Sequence, residues 1–253
     1  MRLALIIEYE GTLYKGFQLQ SNGPSIQGEL ETALERLSGE KIRIKGAGRT
    51  DAGVHALGQV VAFDTNSRLE SETFVRGLNF YLPEDIAVKA AYQMPPSFDP
   101  RHNAVSRKYR YTILNSESPS PLLRRFVYLM PRPLDTKVMN EAAMALEGKR
   151  DCAPFSGLSN RKNMKTVREI FSSRVVRMEM KVIFEITANA FLPQQVRRTI
   201  GALLDVGLGK MSLDEFLNLS QCGVLGAATQ VVPPNGLCLV EVAYRDFPPS
   251  LES

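Results

Sequence analysis

The chain is poor in residues that hold metals. Its three cysteines, Cys152, Cys222 and Cys238, fall in no paired spacing, and only two histidines, His55 and His102, accompany them. Structural zinc and disulfides are therefore not expected. No Gly-Lys-Ser/Thr follows a glycine-rich stretch, and no strand–GxGxxG–helix unit occurs, so no nucleotide loop is expected either. No apolar run approaches the ~20 residues of a membrane span. The start, MRLALIIEYEG, carries one arginine, a short apolar run and then acids, which reads as a first strand and not as a leader. These absences point to a cytoplasmic protein without metal, cofactor or membrane contact.

What is present fits a soluble protein with a real core. The 253 residues are 44% hydrophobic, with a mean hydropathy of −0.13, enough for one large domain or two ordinary ones. A net charge of +4 is too small to identify a polyanionic partner, but its distribution is uneven. From Arg101 to Arg132 there are seven basic residues against one acid, Glu117, and Ser159 to Arg168 holds Arg161, Lys162, Lys165 and Arg168 with no acid. Tyr109, Tyr111, Phe126 and Tyr128 are interleaved with the first zone. Charge runs are usually solvated faces; basic zones interleaved with aromatics read better as a surface that tracks phosphates.

Periodicity gives strands at 2–9, about 42–46, 57–63 and 86–91, with a helix from Ser25 whose stripe is Ile26, Leu30, Ala33, Leu34 and Leu37. Ser71 is expected to cap a short helix carrying Phe74 and Leu78. Later come a strand at 108–114 and a helix capped by Asp135, with Val138, Ala142, Ala145 and Leu146 inward. A strand pair at 170–178 and 182–188 follows, then a helix at about 193–208. Ser212 and Glu215 form a capping box, and a strand at 237–244 closes the chain. Strands mixed with helices without strict alternation argue α+β. The prolines at 95, 96 and 100 suggest a boundary that divides the chain into domains of residues 1–104 and 105–253.

The most informative stretch is GAGRTDAGVHALGQVVAF, residues 46–63. Asp51 stands two residues after Arg49 in a glycine-bounded loop that runs into a buried strand. Gly46, Gly48 and Gly53 are expected to allow backbone angles that other residues resist. A nearby guanidinium favours the ionised carboxylate. An Arg–Asp pair alone is most often a structural turn, but here a long run of specified residues surrounds it. This loop resembles the signature of the TruA family of tRNA pseudouridine synthases. The likeness extends through EYEGTLYKGFQLQ (8–20), SIQGELETAL (25–34), LPEDIAV (82–88), SFDPRHNAVSRKYRY (97–111), ANAFLPQQVRRTIG (188–201) and NGLCLVEVAY (235–244).

The resemblance implies the pseudouridine synthase fold: α+β, with two similar halves whose mixed and antiparallel sheets meet at a basic cleft. It implies a homodimer that isomerises uridine to pseudouridine in the anticodon stem-loop of tRNA, around nucleotides 38 to 40, with the target base flipped out. The reaction breaks the C1′–N1 bond, turns the uracil and rejoins it through C5, and needs no metal, redox cofactor or energy source. The resemblance makes Asp51 the catalytic carboxylate and Arg49 the residue that fills the space the flipped nucleotide leaves. Tyr109 becomes the ring against the target base, and Arg197 the basic partner of the aspartate. Phe98, Arg101 and His102 match a segment that touches the RNA backbone, and Arg161 and Lys162 fall in another. Tyr111 reads better as core, His55 as structural and Arg198 as a solvated helix arginine.

Two departures from the family pattern stand out. Pro193-Gln194-Gln195 replaces a basic residue and Met before the helix valine, and Cys152 stands where Phe is usual. Two rivals share these residues: a catalytically silent tRNA-binding or folding protein, and a pseudouridine synthase with another RNA target. An unrelated Asp-dependent hydrolase would need a His or second carboxylate partnered with Asp51, and neither lies near it in sequence.

Overall fold

Ten strands and five α-helices follow one another in a computed structural model that describes residues 1–157, 165–245 and 247. In chain order they are β1 (Arg2–Tyr9), α1 (Ile26–Ser38), β2 (Lys45–Gly46), β3 (His55–Asp64), α2 (Ser71–Tyr81), β4 (Ile86–Met94), β5 (Ser106–Leu114) and β6 (Tyr128–Leu129). Then come α3 (Thr136–Met144), β7 (Gly148–Asp151), β8 (Val167–Met178), β9 (Lys181–Ala188), α4 (Gln195–Gly207), α5 (Leu213–Gln221) and β10 (Leu237–Ala243). The architecture is α+β. It divides into two compact units, Met1–Val105 with Cys238–Ser253, and Ser106–Leu237. Among the described residues no helix is long and apolar enough to cross a membrane.

In the first unit β1 lies between β3 and β4, antiparallel to both. Leu3, Ala4, Leu5 and Ile7 are fully buried, which is why this strand reads as a continuous apolar run and not as an alternation. Ser25 caps α1 by accepting from the Gly28 N–H at 3.2 Å, and Gly39 ends the helix in the left-handed region. α2 packs on α1 and on β4, pinned where the Asn79 amide both donates to and accepts from the Val88 backbone. Ser71 is the first helical residue of α2, not its cap; Glu70 occupies that position without a side-chain bond.

The closing segment, expected to lie with the second half of the chain, belongs to the first unit. β10 runs parallel to β3, with Cys238 opposite His55 and Leu239 opposite Ala56. The Val105 N–H donates to the Ala243 carbonyl at 2.8 Å. Beyond the strand, Tyr244 and Phe247 pack against Phe98. Parallel pairing is a long-range contact that local periodicity does not encode.

In the second unit β9 is paired on both sides, with β5 and with β8. Tyr111, Phe184 and Val175 lie across from one another on a buried face. α3 packs on β8 and on α4. Its Asp135 cap is as expected, accepting from the Lys137 and Val138 N–H groups, but its core stripe matches the expected one only at Ala142 and Leu146. Met139, Ala142, Ala143 and Leu146 are buried, while Val138 and Ala145 are partly exposed. Met139 fits because α4 presents Gly207 there; a Cβ on Gly207 would stand 2.4 Å from the Met139 sulfur. The Ser212–Glu215 capping box forms with both arms.

Glu185 occupies the opposite face of this sheet. Its carboxylate accepts from Arg110 at 2.8 Å and Arg174 at 2.6 Å, with Lys108 at 3.4 Å. Burial alone would push the carboxyl up, but these cations hold it down at about 2. A folded value below the unfolded one stabilises the fold above about pH 4.5, and the contribution is lost as pH falls toward 2. Discounted for its partly exposed partners, it is worth about 1–2 kcal/mol at neutral pH. Glu185→Gln is expected to cost that much in denaturant titrations at pH 7, with the gap from wild type closing on acidification. A gap that stays constant to pH 2 would contradict the assignment.

Candidate active site

The signature loop leaves β2 and enters β3, and the same edge of β3 carries β2 at one end and β10 at the other. Backbone bonds close both sides of the loop. The Ala47 N–H donates to the Val60 carbonyl at 2.8 Å, the Phe17 N–H to the Thr50 carbonyl at 3.1 Å, and the Val54 N–H to the Asp51 carbonyl at 3.2 Å. Side chains complete the frame. The Thr50 and Tyr9 hydroxyls share a buried bond of 2.8 Å, and the fully buried Gln59 donates to the Gly48 carbonyl at 3.0 Å. Gln59 and Tyr9 were not singled out from sequence, since only their placement beneath the loop reveals the role.

Of the three loop glycines, Gly53 alone has a positive φ, 77°. Gly46 serves another purpose, because a Cβ there would stand 2.6 Å from the Phe17 ring. Gly48 shows neither constraint. A fourth glycine outside the loop matters more: a Cβ on Gly11 would lie 2.0 Å from the Val54 carbonyl oxygen. The Gly11 N–H also donates to His55 Nδ1 at 3.1 Å, so the buried His55 is structural and keeps its Nδ1 unprotonated.

The frame presents Asp51 half-buried at the turn and Arg49 exposed beside it. Among the described residues the Arg49 side chain makes no hydrogen bond or ion pair.

On the chain approaching β5, Asp99 organises a turn. Its carboxylate accepts from the Arg101 and His102 N–H groups, each at 2.9 Å, and faces His102 Nδ1 at 3.1 Å. Desolvation would raise this carboxyl, and the hydrogen bonds outweigh it to hold it below its ordinary value. Arg101 and His102 are exposed on this turn. Phe98, expected beside them at an RNA surface, is instead buried among Tyr244 and Phe247, and its carbonyl accepts from Arg2. Arg161 and Lys162 lie outside the described residues.

Within the second unit, β5 alternates. Arg107, Tyr109, Tyr111 and Ile113 are buried on one face, while Lys108 and Arg110 turn to Glu185 on the other. Tyr109 meets Phe191 edge-on, with ring centroids 5.1 Å apart at 87°. Tyr111 is core: its hydroxyl donates to the Pro233 carbonyl at 2.9 Å, and burial raises its ionisation well above the usual range. Arg107 donates to the Asn189 carbonyl at 2.7 Å and shares the face of Tyr109; the sequence pattern had shown it only as one charge in a basic run.

Arg197, in the first turn of α4, is half-exposed and donates through Nε to the Val232 carbonyl at 2.8 Å. Arg198 is not a solvated helix arginine. It donates to Gln194 Oε1 at 3.3 Å and to the Ala228 carbonyl at 2.6 Å. The Pro193-Gln194-Gln195 departure builds this helix start. Gln194 takes the left-handed conformation, and the buried Gln195 accepts from the Leu192 N–H at 2.8 Å. Cys152, the other departure, is buried, and burial pushes its thiol up to about 11.

A family model described as tRNA pseudouridine synthase matches residues 5–103 and 142–245. Three relatives named tRNA pseudouridine synthase A agree over nearly the whole chain. The protein of Roseiflexus castenholzii is 44% identical over 248 residues, 96% of this chain and 91% of its own. That of Geotalea uraniireducens is 43% identical, covering 96% and 99%, and that of Shewanella amazonensis 41%, covering 97% and 94%. The chain belongs to the tRNA pseudouridine synthase family.

Proposed function

We infer that this enzyme isomerises uridine to pseudouridine in the anticodon stem-loop of tRNA, around nucleotides 38 to 40, with Asp51 as the catalytic carboxylate. The observation that carries this reading is the rigid loop that holds Asp51 half-buried while Arg49 stays exposed beside it. A carboxylate placed by its frame loses little entropy when a sugar or base arrives. An unpaired guanidinium can stack where the extruded nucleotide was and bond phosphate at once, offsetting the few kcal/mol that flipping costs.

Tyr109 supplies a ring face tolerant of a base that must turn in its plane, with Phe191 bracing it from the edge. Arg197 supports the aspartate, and Arg101 and His102 contact backbone phosphates. The first unit, Met1–Val105 with Cys238–Ser253, carries the catalytic loop, and the enzyme acts as a cytoplasmic homodimer. Arg101→Ala is expected to weaken tRNA binding on all substrates and to lower the salt slope by about one. An unchanged slope would remove Arg101 from the RNA surface. The site assignment is tested by treating unmodified tRNA with the enzyme and mapping pseudouridine along it. Modification at nucleotides 38 to 40 supports the reading, and modification confined to another region overturns it.

A further inference from the structure

We propose that the turn from Ser120 to Phe126 is a second tRNA contact, one that grips the ribose–phosphate backbone. It rests on the reading of tRNA as substrate. The turn lies between the two stretches that the family model matches. It is tightly built: the Leu123 N–H donates to the Ser120 carbonyl at 3.2 Å, and the Phe126 and Val127 N–H groups to the Leu123 carbonyl at 2.8 and 3.1 Å. Asn235 fastens its far end, donating to the Arg124 carbonyl at 3.0 Å and the Val127 carbonyl at 2.6 Å.

The mount connects to the strand of Tyr109. β6 follows the turn and pairs parallel with β5, Tyr128 opposite Ile113 and Leu129 opposite Leu114. Gly236, next to Asn235, sits so close to Tyr111 that a Cβ would stand 2.8 Å from its ring. A stiff loop that bonds its own backbone has already lost the entropy that binding would cost.

What this mount displays is apolar and cationic together. Leu122 is 90% exposed and Phe126 46% exposed. Arg124 is exposed between them. From Ser118 to Leu134 there are three arginines and no acid. One exposed leucine needs no explanation. A rigid turn that holds a leucine, an aromatic and a guanidinium out to solvent, without acids, complements a strand of phosphates and unstacked bases.

The test uses the full chain and an unmodified tRNA transcript, with binding measured at several salt concentrations and turnover measured in parallel. Arg124→Ala is expected to weaken binding about fivefold and lower the salt slope by about one, whereas Arg124→Lys keeps the slope. Leu122→Ser is expected to weaken binding about threefold with the slope unchanged. The loss appears in KM and not in kcat. Unchanged affinity and slope in an active wild-type background overturn the proposal. So does an affinity loss that follows a change in oligomeric mass by ultracentrifugation, which makes the turn a contact between copies. If wild type neither binds nor turns over tRNA, the substrate reading itself fails.

Discussion

Asp51→Asn is expected to lower turnover by at least about 10³-fold while tRNA affinity stays within about threefold of wild type. The two effects separate because they reside in different groups. On the proposed reading, affinity comes mainly from cations on phosphates, and the reaction from the Asp51 carboxylate. The substitution preserves size, and the bonds that frame the loop run through Thr50, Gln59 and backbone groups, so the loop keeps its shape. Single-turnover rates and equilibrium binding on the same preparation check this. A large loss of affinity in a folded mutant would mean that Asp51 organises the RNA surface instead.

Gly11→Ala is expected to destabilise the fold by roughly 3 kcal/mol and to reduce activity with it. The added Cβ would stand 2.0 Å from the Val54 carbonyl oxygen and 2.7 Å from its carbon, both backbone atoms that cannot swing aside. Relief requires moving either the turn at Gly11–Leu13 or the end of the signature loop, and the second displaces Asp51, three residues away. Gly48→Ala is the control. Its Cβ meets nothing within 4 Å and its φ is not positive, so its stability should change by no more than about 0.5 kcal/mol. Denaturant midpoints at constant m-value compare the two directly. Equal stability in both variants would refute the close-approach account.

Local signals survived best the passage from sequence to structure. The Ser25 cap, the Asp135 cap and the Ser212–Glu215 box each depend on groups within three residues, and each forms. The stripe of α3 was less legible because Val138 and Met139 are both apolar, and only Gly207 on α4 decides which turns inward. β10 returns to β3 through a pairing across most of the chain, which no window of periodicity contains. The two-residue β6 and the four-residue β7 are too short to show a period at all.

The candidate site divides in the same way. The loop that carries Asp51 and Arg49 was visible as a motif. The frame that holds them was not: Tyr9 approaches across 41 residues of sequence, and Gln59 looks like any polar residue within a strand. Phe98 was expected at the RNA surface only through the family segment it shares with Arg101 and His102. Its burial depends on Tyr244 and Phe247 from the other end of the chain.

The most direct test of the central claim is tritium release from tRNA labelled at C5 of uridine, with wild type and Asp51→Ala side by side. Rejoining the uracil through C5 expels the hydrogen there, so release by wild type and none by the variant is the expected result. Equal release from both would remove Asp51 from the chemistry. Silence from both, with tight tRNA binding, would contradict the isomerase itself.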